Sequence, residues 1–268
     1  MINVRKIIKS YFERFKNKGR FRSISWIENK IIKHQDDEKL KRKKFEDFEV
    51  FYKRPYELLH TYNDIFVDEI YKFNSATNQP LIIDCGSNIG YSVLYFKILY
   101  PNSIVKAFEP DKLNHELLLK NIKHNKFENV YVENKAIWIN NDFINFSQKG
   151  TEASKIGDFE SSIKVQCTRL KDLLDSYTKI DFLKIDIEGA EFEVIKDCES
   201  ELYKVENMFL EYHGKVNELD KLNQLLIIIE KNKFKSYIKL AADFLKSPFS
   251  NKETPYTYDV QLNIFCYR

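Results

Sequence analysis

"LIIDCGSNIGYSVLYFKILYPNSIVKAFEPD", residues 81–111, decides the fold. The run LIIDC follows Pro80 and is apolar almost throughout, as a strand buried on both faces should be. Two glycines, Gly86 and Gly90, then bracket a short turn. YSVLYFKILY is long and apolar enough for a helix, and Pro101-Asn-Ser ends it. SIVKAFEP reads as a second buried strand. Strand, glycine turn, helix and strand in this order predict a parallel βαβ unit and an α/β fold.

The same rhythm runs outward from that unit. DKLNHELLLKNIKHN (111–125) is a helix capped by Asp111, and NVYVEN (129–134) is a third strand. Residues 180–186 form a fourth strand, with a helix from about Glu191, and VENMFLEYHG (205–214) forms a fifth. LDKLNQLLIIIEKN is a helix, and FKSYIKLA and YDVQLNIFCYR are the last two strands. Between the third and fourth strands, AIWINNDFINFS suggests a hairpin turning at Asn140–Asn141. A polar loop over 149–162, the strand IKVQCTRL and the short helix KDLLDSY follow. No internal repeat is visible.

The totals bound the function. The chain has 268 residues, enough for one full core with an appendage. Residues 1–50 hold 15 Lys and Arg against 8 Asp and Glu, whereas the other 218 hold 28 against 32. The body is mildly acidic and so unlike a nucleic-acid binder. These readings divide the chain into a basic helical extension, 1–50, and a main domain, 51–268. In the extension, Ile7, Ile8, Tyr11, Phe12 and Phe15 make an apolar stripe among basic residues. SWIENKIIKHQ (25–35) is a second helix, and DDEKLKRKKFED (36–47) reads as a solvated linker or helix face. The four cysteines, 85, 167, 198 and 266, show no metal-ligand spacing and are read as reduced thiols of a cytoplasmic protein. No apolar run approaches the ~18 residues of a membrane span.

Glycine is scarce, with seven in the chain, yet Gly86, Gly90, Gly189 and Gly214 each follow a core strand. That edge is where open α/β sheets bind ligands. DCGSNIG (84–90) is not a P-loop and lacks the middle glycine of a dinucleotide fingerprint, because Asn88 stands there. Asp84 adds a carboxylate suited to a ligand amino group. Glu109 ends the second strand, where an acid can accept hydrogen bonds from ribose hydroxyls. The fourth strand, DFLKIDIEGAE (181–191), alternates Leu183, Ile185 and Ile187 with Lys184, Asp186 and Glu188, an unusual charged face for a central strand.

LIIDCGSNIGYS, AFEPD, DFLKIDIEGAEFEVI and FLEYHG, in that order and spacing, resemble the FkbM family of S-adenosylmethionine-dependent methyltransferases over roughly residues 56–268. The resemblance implies a class I methyltransferase fold: a seven-stranded, mostly parallel sheet with helices on both faces and one antiparallel strand formed by 258–267. It implies O-methylation of a sugar or other small-molecule hydroxyl. By position, Asp84, Gly86 and Asn88 would hold the methionine part of the cofactor, with Gly90 in the same cofactor-binding turn, Glu109 would hold its ribose, and Ala136 would lie near adenine. The catalytic candidates are then Asp186, Glu188, Glu211, His213 and Lys184. Lys184 would offset the neighbouring acids, since a buried cation needs a partner. His213 is the one histidine of five placed at a core strand's carboxyl end. Three roles stay open for this group. His213 acts as general base; or Asp186, Glu188 and Glu211 hold a divalent cation; or the charges form a salt-bridge cluster that only shapes the turn.

Two other functions stay open as well, a nicotinamide-dependent oxidoreductase and a non-catalytic binding module. Expected partners are a glycan acceptor and no nucleic acid. The N-terminal stripe either packs on the main domain or on a second copy of it, or rests on an anionic membrane. The membrane would be met through residues 1–35, at its inner face.

Overall fold

A computed structural model describes residues 19–147, 162–243, 247–250 and 257–268. It divides into two units. One contains 19–43 and 51–72, the other 44–50 and 73–268.

In the first unit, helix α1 (Trp26–Lys33) opens on a capping box. Ser25 accepts from the Glu28 backbone, and Glu28 reaches back to the Ser25 backbone. Helix α2 (Pro55–Tyr62) starts with proline, whose fixed φ suits a first turn, and a π-helical turn continues it over Asn63–Val67. Tyr62 stacks on Phe66, and Phe21 meets Phe66 edge-on. The charge run 36–47, read from sequence as linker or helix face, instead contains strand β1 (Lys41–Lys44), which pairs with β2 (Glu49–Tyr52). Alternation of half-buried and exposed residues along β1 replaces the helical spacing that its lysines suggested. The stripe over residues 7–15 lies outside the described residues.

The second unit is a seven-stranded sheet. Its strands are β3 (Leu81–Cys85), β4 (Ile104–Phe108), β5 (Val130–Glu133), β9 (Ile180–Ile185), β10 (Val205–Gly214), β11 (Lys235–Leu240) and β12 (Val260–Tyr267). Their order is β11-β12-β10-β9-β3-β4-β5. The five strands from β10 to β5 run parallel, and β12 is antiparallel to both β10 and β11. The order reverses between β3 and β9, so their carboxyl ends flank a crevice. Helices α3 (Tyr91–Leu99), α4 (Lys112–His124), α5 (Leu170–Asp175), α6 (Glu191–Asp197) and α7 (Leu219–Lys231) connect the strands. Leu183, Ile185, Met208, Leu210 and Ile264 join Val194, Ile195, Leu225 and Ile228 in one core. These strand residues share one face, which leaves Lys184, Glu211 and His213 on the other.

The segment read as a hairpin is built differently. β6 (Ala136–Trp138) and β7 (Phe143–Ser147) do not pair with each other. Strand β8 (Ser162–Arg169) lies between them, parallel to β6 and antiparallel to β7. The Asn140–Asn141 turn is present, but Asn141 ties to β8 and α5 through Arg169 N–H and Asp172. The loop expected over 149–162 falls almost wholly outside the described residues.

Candidate active site

The turn after β3 is set by close approach. Gly86 has φ +81, and a Cβ there would lie 1.8 Å from the Asp186 carbonyl oxygen. Only glycine lets the β3 and β9 turns touch. The Gly86 and Ser87 N–H groups both donate to the Phe108 carbonyl, drawing β4 into the same edge. Asn88 also takes a left-handed conformation, φ +47. Its N–H donates to Glu109 at 2.8 Å, and its side-chain oxygen is buried without a hydrogen-bond partner among the described residues. Glu109 accepts a second backbone bond from Asp111 at 2.8 Å. Burial pushes its carboxyl up to about 8, against the two backbone donors that favour the anion. Asn134 holds the Glu109 and Pro110 carbonyls, and Ala136 follows, buried at the start of β6.

Asp84 is placed differently from a ligand-facing acid. It is fully enclosed. One oxygen accepts from the Ser92 hydroxyl, and the other lies 3.4 Å from the Lys184 ammonium with no hydrogen-bond donor. Register explains the pair, since Asp84 stands directly across from Lys184 in the parallel ladder. Lys184 also donates to the Gly86 carbonyl at 2.7 Å and lies 3.3 Å from Asp186. A lysine inside a wholly buried strand thus has two carboxylates and a carbonyl around its charge.

The second half of the site follows β9. Glu188 has φ +58 and Gly189 φ +98. The Tyr258 hydroxyl donates to the Glu188 carbonyl, and a Cβ on Gly189 would meet that hydroxyl at 1.9 Å. Gly189 is therefore demanded by a side chain seventy residues away as well as by the bend. Glu191 is fully buried and accepts N–H bonds from Ile187, Gly189 and His213, and from the His213 Nδ1 at 3.1 Å. His213 Nε2 lies 3.7 Å from both Glu188 and Glu211. The Gln261 amide nitrogen donates to Glu211 and sits 3.0 Å from Nε2.

Charge is crowded here. Burial, with Asp186 adding to it, pushes the Glu211 carboxyl up to about 7. Burial likewise pushes Glu188 up to about 9. For His213, burial favours the neutral ring, but Glu191, Glu188 and Glu211 outweigh it and hold its pKa well above the usual value. The free-histidine pKa near ~6.5 that made His213 a fit base in the sequence therefore does not describe it here. Asp186, Glu211 and His213 also bring one ligand atom each within 4.8 Å of one another.

Sequence reasoning missed Glu191, Gln261 and Tyr258. Glu191 was in the quoted motif, where it read as the start of a helix. Gln261 had no signal of its own, because only the pairing of β10 with β12 sets it opposite His213. The four cysteines are free and buried, and burial raises their thiols.

The order of the seven strands, with one reversed strand next to the edge and a glycine turn at the switch point, defines the class I methyltransferase fold. The family model "Methyltransferase FkbM domain" matches residues 84–247, and the chain belongs to that family. Among characterised proteins it is similar to methyltransferase sdnD of Sordaria araneosa, 28% identical over 189 residues, covering 56% of this chain and 73% of that protein. It is also similar to methyltransferase 1 of Beauveria bassiana, 25% identical over 187 residues, covering 58% and 72%. Among solved structures, an FkbM methyltransferase from Methylobacillus flagellatus aligns at 17% identity and TM-score 0.47, covering 78% of this chain. The chain spans about half, 54%, of that protein. A TYW2 structure from M. jannaschii in complex with AdoMet aligns at 11% identity and TM-score 0.46, covering 87% of this chain and 88% of that one.

Proposed function

We propose that this protein transfers a methyl group from S-adenosylmethionine to a hydroxyl oxygen of a sugar or other polyhydroxylated acceptor. One observation carries the reading. A single ammonium, that of Lys184, touches both the Gly86 carbonyl and Asp186. The cradle for a nucleoside and the proton-accepting cluster are therefore one side chain apart.

The residues present suit the cofactor. Gly86 lets the β3 turn close against β9, Asn88 offers a buried side-chain oxygen with no partner among the described residues, and Glu109 can take two ribose hydroxyls on lone pairs its backbone donors leave free. Asp84 is enclosed, so it acts as the counter-charge beneath Lys184. When bound, S-adenosylmethionine would supply a methyl group already activated on a sulfonium.

The chain's own part is to align the acceptor oxygen and take its proton. A carboxyl with a pKa near neutrality is the form of base that enzymes favour, and Glu211 has it. Glu211 and His213 form one proton-holding unit, with Gln261 bridging them and its amide orientation following the proton. Asp186, Glu188, Glu211 and Gln261 present more hydrogen-bond acceptors than the site has cations to satisfy. That excess favours an acceptor rich in hydroxyl donors over an anionic one.

A second reading places a divalent cation on Asp186, Glu211 and His213 to acidify the hydroxyl. The 4.8 Å spacing favours it, and the Lys184 ammonium 3.3 Å from Asp186 opposes it. Calorimetric titration with Mn²⁺ distinguishes the two, because micromolar binding would support the cation.

The deciding experiment for the main reading is calorimetry with S-adenosylmethionine and S-adenosylhomocysteine, with NAD as control. Micromolar binding of the first two, lost in Glu109→Ala, is the expected result. Binding of NAD alone would replace the reading with an oxidoreductase. Contact with an anionic membrane through residues 1–35 remains part of the proposal. Its support is the exposed face of α1, where Trp26, Ile27 and Ile31 stand beside Lys30 and Lys33. Among the described residues no helix is long and apolar enough to cross a membrane.

A further inference from the structure

We propose that Glu191 is the positioning residue of the proton-accepting site: its carboxylate fixes the His213 ring so that Nε2 faces Asp186, Glu188 and Glu211, and locks the β9 turn to the end of β10. The inference rests on the methyl-transfer reading for its purpose, but its geometry stands alone.

The case begins with burial. Glu191 is fully enclosed, in the first turn of α6, and among the described residues no lysine or arginine is paired with it. A carboxylate in that position is costly unless donors surround it. Its donors come from two separate strand ends. Ile187 and Gly189 N–H belong to the β9 turn, at 3.2 and 3.0 Å. The His213 N–H and Nδ1 belong to the end of β10, at 3.3 and 3.1 Å. One carboxylate thus couples the backbone that carries Asp186 and Glu188 to the strand that carries Glu211 and His213.

The consequence for the ring is specific. Nδ1 must carry hydrogen to serve Glu191, so Nε2 is the nitrogen turned to the acceptor side. Among the described residues, the other groups near the ring lie on that side or beside it. Glu188 and Glu211 stand at 3.7 Å, the Gln261 amide at 3.0 Å, and the Tyr258 ring at 5.4 Å between centroids. Asp186 completes the group within 4.8 Å. An ionised acceptor on Nδ1 also strengthens the hold of Nε2 on a proton, as an orienting carboxylate does in catalytic triads. Glu191 does not touch the acceptor or the reacting atoms and acts through His213.

The test reads the imidazole directly and needs no acceptor. In histidine-¹⁵N-labelled protein, the His213 Nδ1–H should give an exchange-protected low-field proton resonance, because the ring is buried and its N–H is held by a carboxylate. Glu191→Gln keeps the length and one acceptor oxygen but loses the charge. It should move that resonance upfield or expose it to exchange, while S-adenosylhomocysteine affinity stays within about twofold of wild type. Once an acceptor is in hand, its kcat should fall at least ~10-fold with the acceptor KM little changed. Paired with His213→Ala, the Glu191→Gln substitution should cost nothing further in rate. An unmoved resonance in folded Glu191→Gln protein would overturn the proposal and leave Glu191 as a staple of the turn. Should that variant not fold, the wild-type spectrum decides, since absence of a protected Nδ1–H would overturn it equally. Failure of wild-type protein to bind the cofactor would sink methyl transfer without touching this result.

Discussion

The two turns at the sheet's carboxyl edge solve opposite problems. The turn after β3 is neutralised locally. Glu109, at the end of the neighbouring β4, takes two backbone N–H groups, and Asp84 is enclosed with Ser92 and Lys184. The turn after β9 is overcharged. Glu188, Glu191 and Glu211 crowd one imidazole, and Asp186 lies beside them against the Lys184 ammonium. Burial pushes carboxyls toward neutrality on both sides, Glu109 to about 8 and Glu211 to about 7, but the turn after β9 sets them around an imidazole, as moving a proton requires. Lys184 belongs to both turns and keeps the crowded one from repelling itself apart.

The comparison breaks most visibly in turnover. His213→Ala or Glu211→Gln should lose at least ~10²-fold in kcat while leaving cofactor affinity intact, measured by single-turnover kinetics beside calorimetry. Near-normal turnover in both variants would reduce the crowded turn to a structural cluster. Lys184→Met should act on both turns at once. It strands Asp84 in the interior, and breaking a buried pair costs about 3–5 kcal/mol, readable by urea denaturation. Unchanged stability would mean that Asp84 is held by Ser92 alone.

Gly86→Ala should hurt the quiet turn. With φ +81 and the Asp186 carbonyl in the way, it should cost at least about 2 kcal/mol and abolish cofactor binding. Retained binding would show that the turn can open.

The smallest expected effect is with pH. Glu109 has a folded pKa raised to about 8, so its carboxyl is protonated in most molecules at pH 7. For stability, a raised carboxyl pKa means that its contribution is present below the unfolded value and is lost as pH rises through about 8. Cofactor binding runs the other way, because ribose hydroxyls favour the anion. Affinity should strengthen by up to about tenfold between pH 7 and 9, and Glu109→Gln should remove that part of the slope. An identical slope in the variant would assign it to the cofactor's own amino group.

How much of this was legible depends on whether the cause was local. The βαβ rhythm, the Asp111 cap and the glycine turns follow from neighbouring residues, and the sequence reading found them. The strand β1 was misread because four charged residues carry no apolar period, and its pairing with β2 supplied what its composition lacked. The hairpin over 136–147 was misread for a similar reason. Two strands flanking a good turn need not pair when a third strand, β8, lies between them.

The sequence by itself determined that this chain makes a parallel α/β sheet with its glycines and acids at one edge. Backbone propensity and side-chain period act over a few residues, and those residues are adjacent in the chain. Tertiary structure alone decided which charges meet. Asp84 faces Lys184 because β3 lies beside β9, and Gln261 faces His213 because β12 runs back along β10. It also decided what those charges are worth, since burial raised the Glu188 and Glu211 carboxyls and the acids around His213 raised its imidazole.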